Sequence, residues 1–175
     1  TAYSFIAGIM EHIKGMTAIT NPLVNSYKRL VPEFEAPVYI AWSAQNRSPL
    51  IRVPASRGQG TRVELRSADP SANPYLALAV TIAAGLDGVK RGLVPPPAVD
   101  GNIYSMSAAQ RKKQKIEMLP TSLESAIAEL KKDKLICNTL GEHILEKYIE
   151  AKELEWLNYK TRISQWEIDE YLSKY

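Results

Sequence analysis

Residues 36–66 hold short runs of alternating apolar and polar side chains, each closed by proline or glycine, and six arginines fall between Asn25 and Arg66. Alternation with a period of two puts successive side chains on opposite faces, so 38–42, 50–53 and 61–66 are predicted strands. Ser56-Arg57-Gly58-Gln59-Gly60 is the predicted turn between the last two. A stretch like this cannot be helix interior, and it forces a sheet into whatever fold the rest of the chain adopts.

The arginines sit among core-type residues rather than on a lysine-rich face, as in Ser48-Pro49-Leu50-Ile51-Arg52-Val53-Pro54. Several guanidinium forks on one sheet suit oligophosphates and carboxylates, because each fork donates paired, charge-assisted hydrogen bonds. The same pattern also fits arginines held in structural ion pairs on a mixed surface strand. Glu64 between Arg62 and Arg66 has both readings open to it. It is a hard oxygen ligand for a cation, or a cross-strand ion-pair partner.

Outside this stretch the spacing is helical. Phe5, Ile6, Ile9, Met10, Ile13, Met16 and Ile19 mark a helix over 3–19 with one buried stripe, and it starts so abruptly that the amino end reads as a cut edge. Residues 74–86 form an apolar helix expected to pack on the sheet. Residues 89–120, with Pro95-Pro96-Pro97 and Arg111-Lys112-Lys113-Gln114-Lys115, read as an exposed segment rather than a nucleic-acid patch. Helices follow over 125–131 and 139–156, and Ser164-Gln165-Trp166-Glu167 opens a last one. Strands and helices in separate runs argue for an α+β fold, antiparallel strands packed with helices.

Composition excludes more than it selects. A net charge of +3 over 175 residues gives no field that calls for nucleic acid or a membrane surface, and one cysteine, Cys137, makes no internal disulfide. With no long apolar run, a cytoplasmic protein without nucleic-acid or membrane partners is expected. Cys137 reads as a small packing residue, and His12 and His143 as surface or packing histidines.

Read in order, Asn21-Pro22-Leu23-Val24-Asn25-Ser26-Tyr27-Lys28-Arg29-Leu30-Val31-Pro32, Glu35-Ala36-Pro37, Asn46-Arg47-Ser48, Arg62-Val63-Glu64-Leu65-Arg66, Asp69-Pro70-Ser71-Ala72-Asn73-Pro74-Tyr75 and Ala84-Gly85-Leu86-Asp87-Gly88 closely resemble glutamine synthetase, type I. Residues 139–175 resemble the Gram-positive subtype. The resemblance makes residues 1–175 the carboxy-terminal part of a glutamine synthetase/guanido kinase-like catalytic domain, with the amino-terminal β-grasp domain and the first half of the catalytic domain absent.

It implies ATP-dependent ligation of ammonia to glutamate through γ-glutamyl phosphate, with Mg²⁺ or Mn²⁺, in a homo-dodecamer of two hexameric rings. Arg29 and Arg66 resemble the residues that bind glutamate, and Arg52 and Arg62 those that hold ATP. Arg47 resembles the γ-phosphoryl arginine, Glu35 the flap glutamate that takes a proton from ammonium, and Glu64 a metal ligand. The chain alone is expected to be inactive. A non-catalytic phosphate- or nucleotide-binding module, or a subunit-assembly module, is the alternative. Departures fall at Glu33 and Phe34, where the family has glycine and tyrosine, and at Gln45, where it has arginine. Tyr104 matches a loop tyrosine that some members adenylylate, and its plain reading is a packed loop tyrosine. Trp166, Ile168, Tyr171, Leu172 and Tyr175 leave little polar surface on the last helix, which resembles the helix that inserts into the facing ring.

Overall fold

Helix α1 (Ala2–Thr20) is the centre of a computed structural model that describes residues 1–34, 36–46 and 48–174. Ile6, Ile9, Ile13, Met16 and Ile19 are each exposed by 2 % or less. The helix is buried on more than the one stripe expected, since Ala7, Gly8, Gly15, Thr17, Ala18 and Thr20 are buried as well. A helix closed in on most sides has to satisfy its own polar groups. Thr17 and Thr20 do so by donating to the carbonyls of Ile13 and Met16, at 2.7 and 3.2 Å.

Packed round α1 are α3 (Pro74–Arg91), α5 (Leu123–Lys132), α6 (Lys134–Leu140) and β1 (Tyr39–Ser43). The crossing of α1 with α3 is backbone against backbone. A Cβ added to Gly8 would stand 2.2 Å from the Ala84 carbonyl oxygen, and one added to Gly88 would stand 2.1 Å from that of Ser4. Helix α3 opens on Asn73, whose side chain accepts from the N–H groups of Tyr75 and Leu76, and closes on Gly92 in the left-handed conformation. It therefore outruns the expected end at residue 86, because Gly85 and Gly88 are sites of close approach rather than stops. It also packs chiefly on α1 and α6 rather than on the sheet, and turns Tyr75, Leu78, Ile82 and Leu86 outward to solvent.

The described strands form a four-stranded sheet in the order β3-β2-β1-β4, with β2 at Pro49–Arg52, β3 at Glu64–Leu65 and β4 at Glu117–Met118. The α+β class holds, but one expectation within it does not. β1 and β2 run parallel, with Tyr39 opposite Pro49 and Ser43 opposite Arg52, while β3 and β4 add antiparallel. The chain between β1 and β2 carries no tight hairpin-turn signal and doubles back along β1 instead of reversing it. The expected third strand shrinks to Glu64–Leu65, and Gly58–Gly60 form a 3₁₀ turn inside the expected turn.

Residues 89–120 are not simply an exposed segment. Ile103 is fully buried within the 3₁₀ turn Ile103–Ser105, α4 (Ala108–Lys113) follows, and Arg111 lies over the Tyr39 ring at 5.2 Å. Unexpectedly, α2 (Val24–Arg29) is helical. The single helix expected over 139–156 is two, α6 and α7 (Glu142–Lys160), broken at Gly141 with φ 75°. α7 is tied back by Tyr148 Oη, which donates to the Ala18 carbonyl at 2.6 Å. The last helix, α8 (Gln165–Tyr171), starts at the Ser164 and Glu167 capping box as expected.

His12 is neither free nor merely packed. Its ring nitrogens reach Asp133 at 2.8 Å and Asp87 at 3.2 Å, joining α1 to α3 and to the α5–α6 junction. His143 is exposed, and the Cys137 thiol donates to the Leu130 carbonyl at 3.2 Å. Among the described residues no helix is long and apolar enough to cross a membrane.

Candidate functional site

Pairing of β2 with β3 sets Arg52 directly opposite Glu64. The Glu64 carboxylate accepts from Arg52 Nε at 2.7 Å with one oxygen and from Arg62 Nε at 2.8 Å with the other. Arg62 also donates to the Gly60 carbonyl, which holds it close to Glu64 as the strand gives way. Both guanidinium groups touch Glu64 through Nε, so their Nη groups take no part in those contacts. The Arg52 hydrogen bond, with a smaller contribution from Arg62, holds the Glu64 carboxyl below the usual carboxylate range against the opposing effect of desolvation. Two cations on one anion leave the edge of the sheet positive.

Arg66, directly after β3, donates to the Pro49 carbonyl at the start of β2, at 3.3 Å. Arg29, at the end of α2, donates to the carbonyls of Ser67 and Ala68 at 3.0 and 3.1 Å, so it is fastened to the chain that leaves Arg66. Desolvation opposes ionisation of nearby Asp69, but hydrogen bonds from the Ser71 hydroxyl and N–H, with help from Ser26 and the Arg29 charge, hold its carboxyl below the ordinary value. The structure thus brings Arg52, Arg62 and Glu64 into direct contact, sets Arg66 beside them, and attaches Arg29 through the 67–68 backbone. Glu35 and Arg47 lie outside the described residues.

The ion-pair reading left open for Glu64 is the geometry observed. One carboxylate bridging two guanidinium groups is not in itself a magnesium or manganese site, which takes several oxygen ligands. Among the described residues no three histidine, cysteine or acidic side chains gather as ligands.

Glu33, where the family pattern has glycine, has φ 71°, the left-handed conformation that glycine takes without strain. Tyr104 packs on Tyr39 with ring centroids 5.7 Å apart, and burial raises its hydroxyl pKa while the Arg66 charge opposes the rise. Sequence reading missed Ser43, Asn46 and Asp100 as partners. Ser43 and Asp100 are 57 positions apart, a separation that leaves no local pattern.

A small mixed sheet under helices, with guanidinium groups ordered round one carboxylate on its edge, defines a domain suited to binding oligoanions. Comparison with known proteins narrows this to one family. Residues 1–171 match the family of the glutamine synthetase catalytic domain. The chain is 57 % identical over all 175 residues to the glutamine synthetase of Thermus thermophilus, of which it covers 39 %. It is 55 % identical over 174 residues to that of Clostridium saccharobutylicum, again 39 % of that protein, and 52 % identical over 175 residues to that of Staphylococcus aureus. A solved GmaS/ADP complex matches with TM-score 0.85 and 35 % identity, over 98 % of this chain and 39 % of that one. GmaS without ligand matches with TM-score 0.82 and 36 % identity, over 98 % of this chain and 38 % of that one. The chain belongs to the glutamine synthetase catalytic-domain family and spans 39 % of the length of the curated relatives named here.

Proposed function

We propose that this chain supplies the arginine-bearing side of a glutamine synthetase active site, where ammonia is joined to glutamate at the expense of ATP through γ-glutamyl phosphate. The observation that carries the reading is the Arg52–Glu64–Arg62 bridge on the sheet edge, with Arg66 beside it. Glu64 fixes two like charges next to each other that would otherwise repel, and their remaining N–H groups suit phosphate oxygens. Fixed cations of this kind stabilise charge that grows on a phosphoryl group without reorganising during the step. That a structural relative was solved as an ADP complex supports placing the nucleotide on Arg52 and Arg62.

In the same reading Arg29 and Arg66 bind glutamate, Arg47 meets the γ-phosphoryl group, and Glu35 accepts the ammonium proton. Magnesium or manganese would neutralise phosphate charge. Glu64 would give it one oxygen, and its other ligands would come from outside the described residues. A dodecamer of two hexameric rings and a cytoplasmic setting belong to this reading as well.

In the intact enzyme, Arg52→Ala and Arg62→Ala are each expected to raise KM for ATP about tenfold to a hundredfold, the equivalent of one charge-assisted hydrogen bond of roughly 1.5–3 kcal/mol. Initial rates over a range of ATP concentrations check this. An unchanged KM in both variants would remove the pair from the nucleotide site.

A further inference from the structure

Strands paired in parallel usually need a crossover of a dozen or more residues, yet only residues 44–48 join β1 to β2. From Ser43 the chain must travel back to the level of Tyr39, the register partner of Pro49. That return is about 13 Å at roughly 3.3 Å per residue. The chain from Ser43 to Pro49 reaches only about 20 Å when fully extended. So short a return has no room for regular structure, and its polar groups need partners other than the strand ladder.

They find them in the segment before Tyr104. Ser43 Oγ accepts from the N–H groups of Gln45 and Asn46 at 3.1 and 3.0 Å, which leaves its own proton to be donated to Asp100 Oδ1 at 2.7 Å. Asn46 Nδ2 donates to Ser48 Oγ at 2.7 Å and to the Gly101 carbonyl at 2.6 Å, while Asn46 Oδ1 accepts from the Ser48 N–H at 3.0 Å. The bracing segment is itself fastened along β1. Trp42 Nε1 donates to the Pro96 carbonyl at 2.7 Å, and the Val99 N–H donates to the Trp42 carbonyl at 2.9 Å. Ser43 and Ile103 are fully buried, while Asp100 and Gly101 are exposed, so the brace runs from the sheet interior to the surface.

We propose that Asp100 and Asn46 are positioning residues for the anion site. Through Ser43, the register partner of Arg52, and through Gly101 they set the path by which the chain enters β2, and with it the placement of the Arg52 guanidinium against a phosphate group. The proposal rests on the reading of Arg52 given above. Neither Asp100 nor Asn46 has to touch substrate. A displaced Arg52 guanidinium loses hydrogen bonds to the bound nucleotide.

In the intact enzyme, Asp100→Ala is expected to raise KM for ATP about threefold to tenfold, less than removal of the Arg52 side chain itself, while KM for glutamate moves by less than about twofold. Asp100→Asn keeps an oxygen acceptor for Ser43 and is expected to reverse most of the rise. If Asp100→Ala yields no folded protein, Asn46→Asp, close in volume but lacking the donors that Gly101 and Ser48 use, is expected to raise KM for ATP in the same way. Unchanged KM for ATP in either variant, or an equal rise in Asp100→Ala and Asp100→Asn, overturns the brace. Arg52→Ala assayed alongside separates the two ideas. If it leaves KM for ATP unchanged, the anion-site reading falls; if it raises KM while Asp100→Ala does nothing, only the brace falls.

Discussion

Glu33 is an exposed glutamate held at φ 71°, at a position where the sequence resemblance leads to an expectation of glycine. An L-residue in the left-handed region is strained by about 1–2 kcal/mol, whereas glycine there is unstrained but loses about 0.5–1 kcal/mol more backbone entropy on folding. Glu33→Gly should therefore stabilise the protein by roughly 0.5–1 kcal/mol. A urea midpoint that moved down would mean that Glu33 makes a contact worth more than its strain. At this scale much of the site was legible, because Arg52, Arg62, Glu64 and Arg66 lie in motifs whose spacing survives into the geometry. Glu64 was legible only as two alternatives, since spacing places a carboxylate near two arginines but does not say whether it faces a cation or the guanidinium groups.

At the scale of elements, His12 is the clearest joint. Asp133 both caps the start of α6 and accepts from His12, while Asp87 on α3 holds the other ring nitrogen and is itself paired with Arg91. The hydrogen bond with Asp133, against the opposing effect of burial and with help from Asp87, raises the His12 pKa above its ordinary 6.5. A raised folded-state pKa means that the protonated form stabilises the fold. That contribution is complete below about pH 6.5 and is lost as pH rises through the folded value. His12→Ala should lower stability by about 1–3 kcal/mol at pH 6 and by less at pH 9. Unfolding midpoints at the two pH values decide it, and an equal loss at both would make the joint a matter of packing alone. Helix starts were legible where a cap residue marked them, as at Ser122 and Ser164, whereas the end of α3 at Gly92 was not, since its apolar pattern reads as stopping at residue 86. The α6–α7 break was not, because Gly141 within an amphipathic run reads equally as a tolerated glycine.

For the whole molecule the informative surface is the carboxy-terminal one. Among the described residues none in α7 or α8 is fully buried, and Ile163, Trp166 and Leu172 are 75, 63 and 79 % exposed. Aromatic and aliphatic side chains displayed together in this way mark an interaction surface. Deletion of residues 164–175 from the full-length protein is expected to split a dodecamer into hexameric rings that stay assembled. Sedimentation showing an unchanged dodecamer would send α8 back to an intrachain role. Taken alone, the sequence determined the α+β class, most helices, the sheet region and the arginine motifs, because period, proline, glycine and cap residues act over a few positions and leave a local record. The parallel pairing of β1 and β2, the enclosure of α1, the His12 joint and the Ser43–Asp100 brace were decided by tertiary structure alone. Each depends on which distant groups the chain brings within hydrogen-bond or van der Waals distance, and no local pattern encodes that.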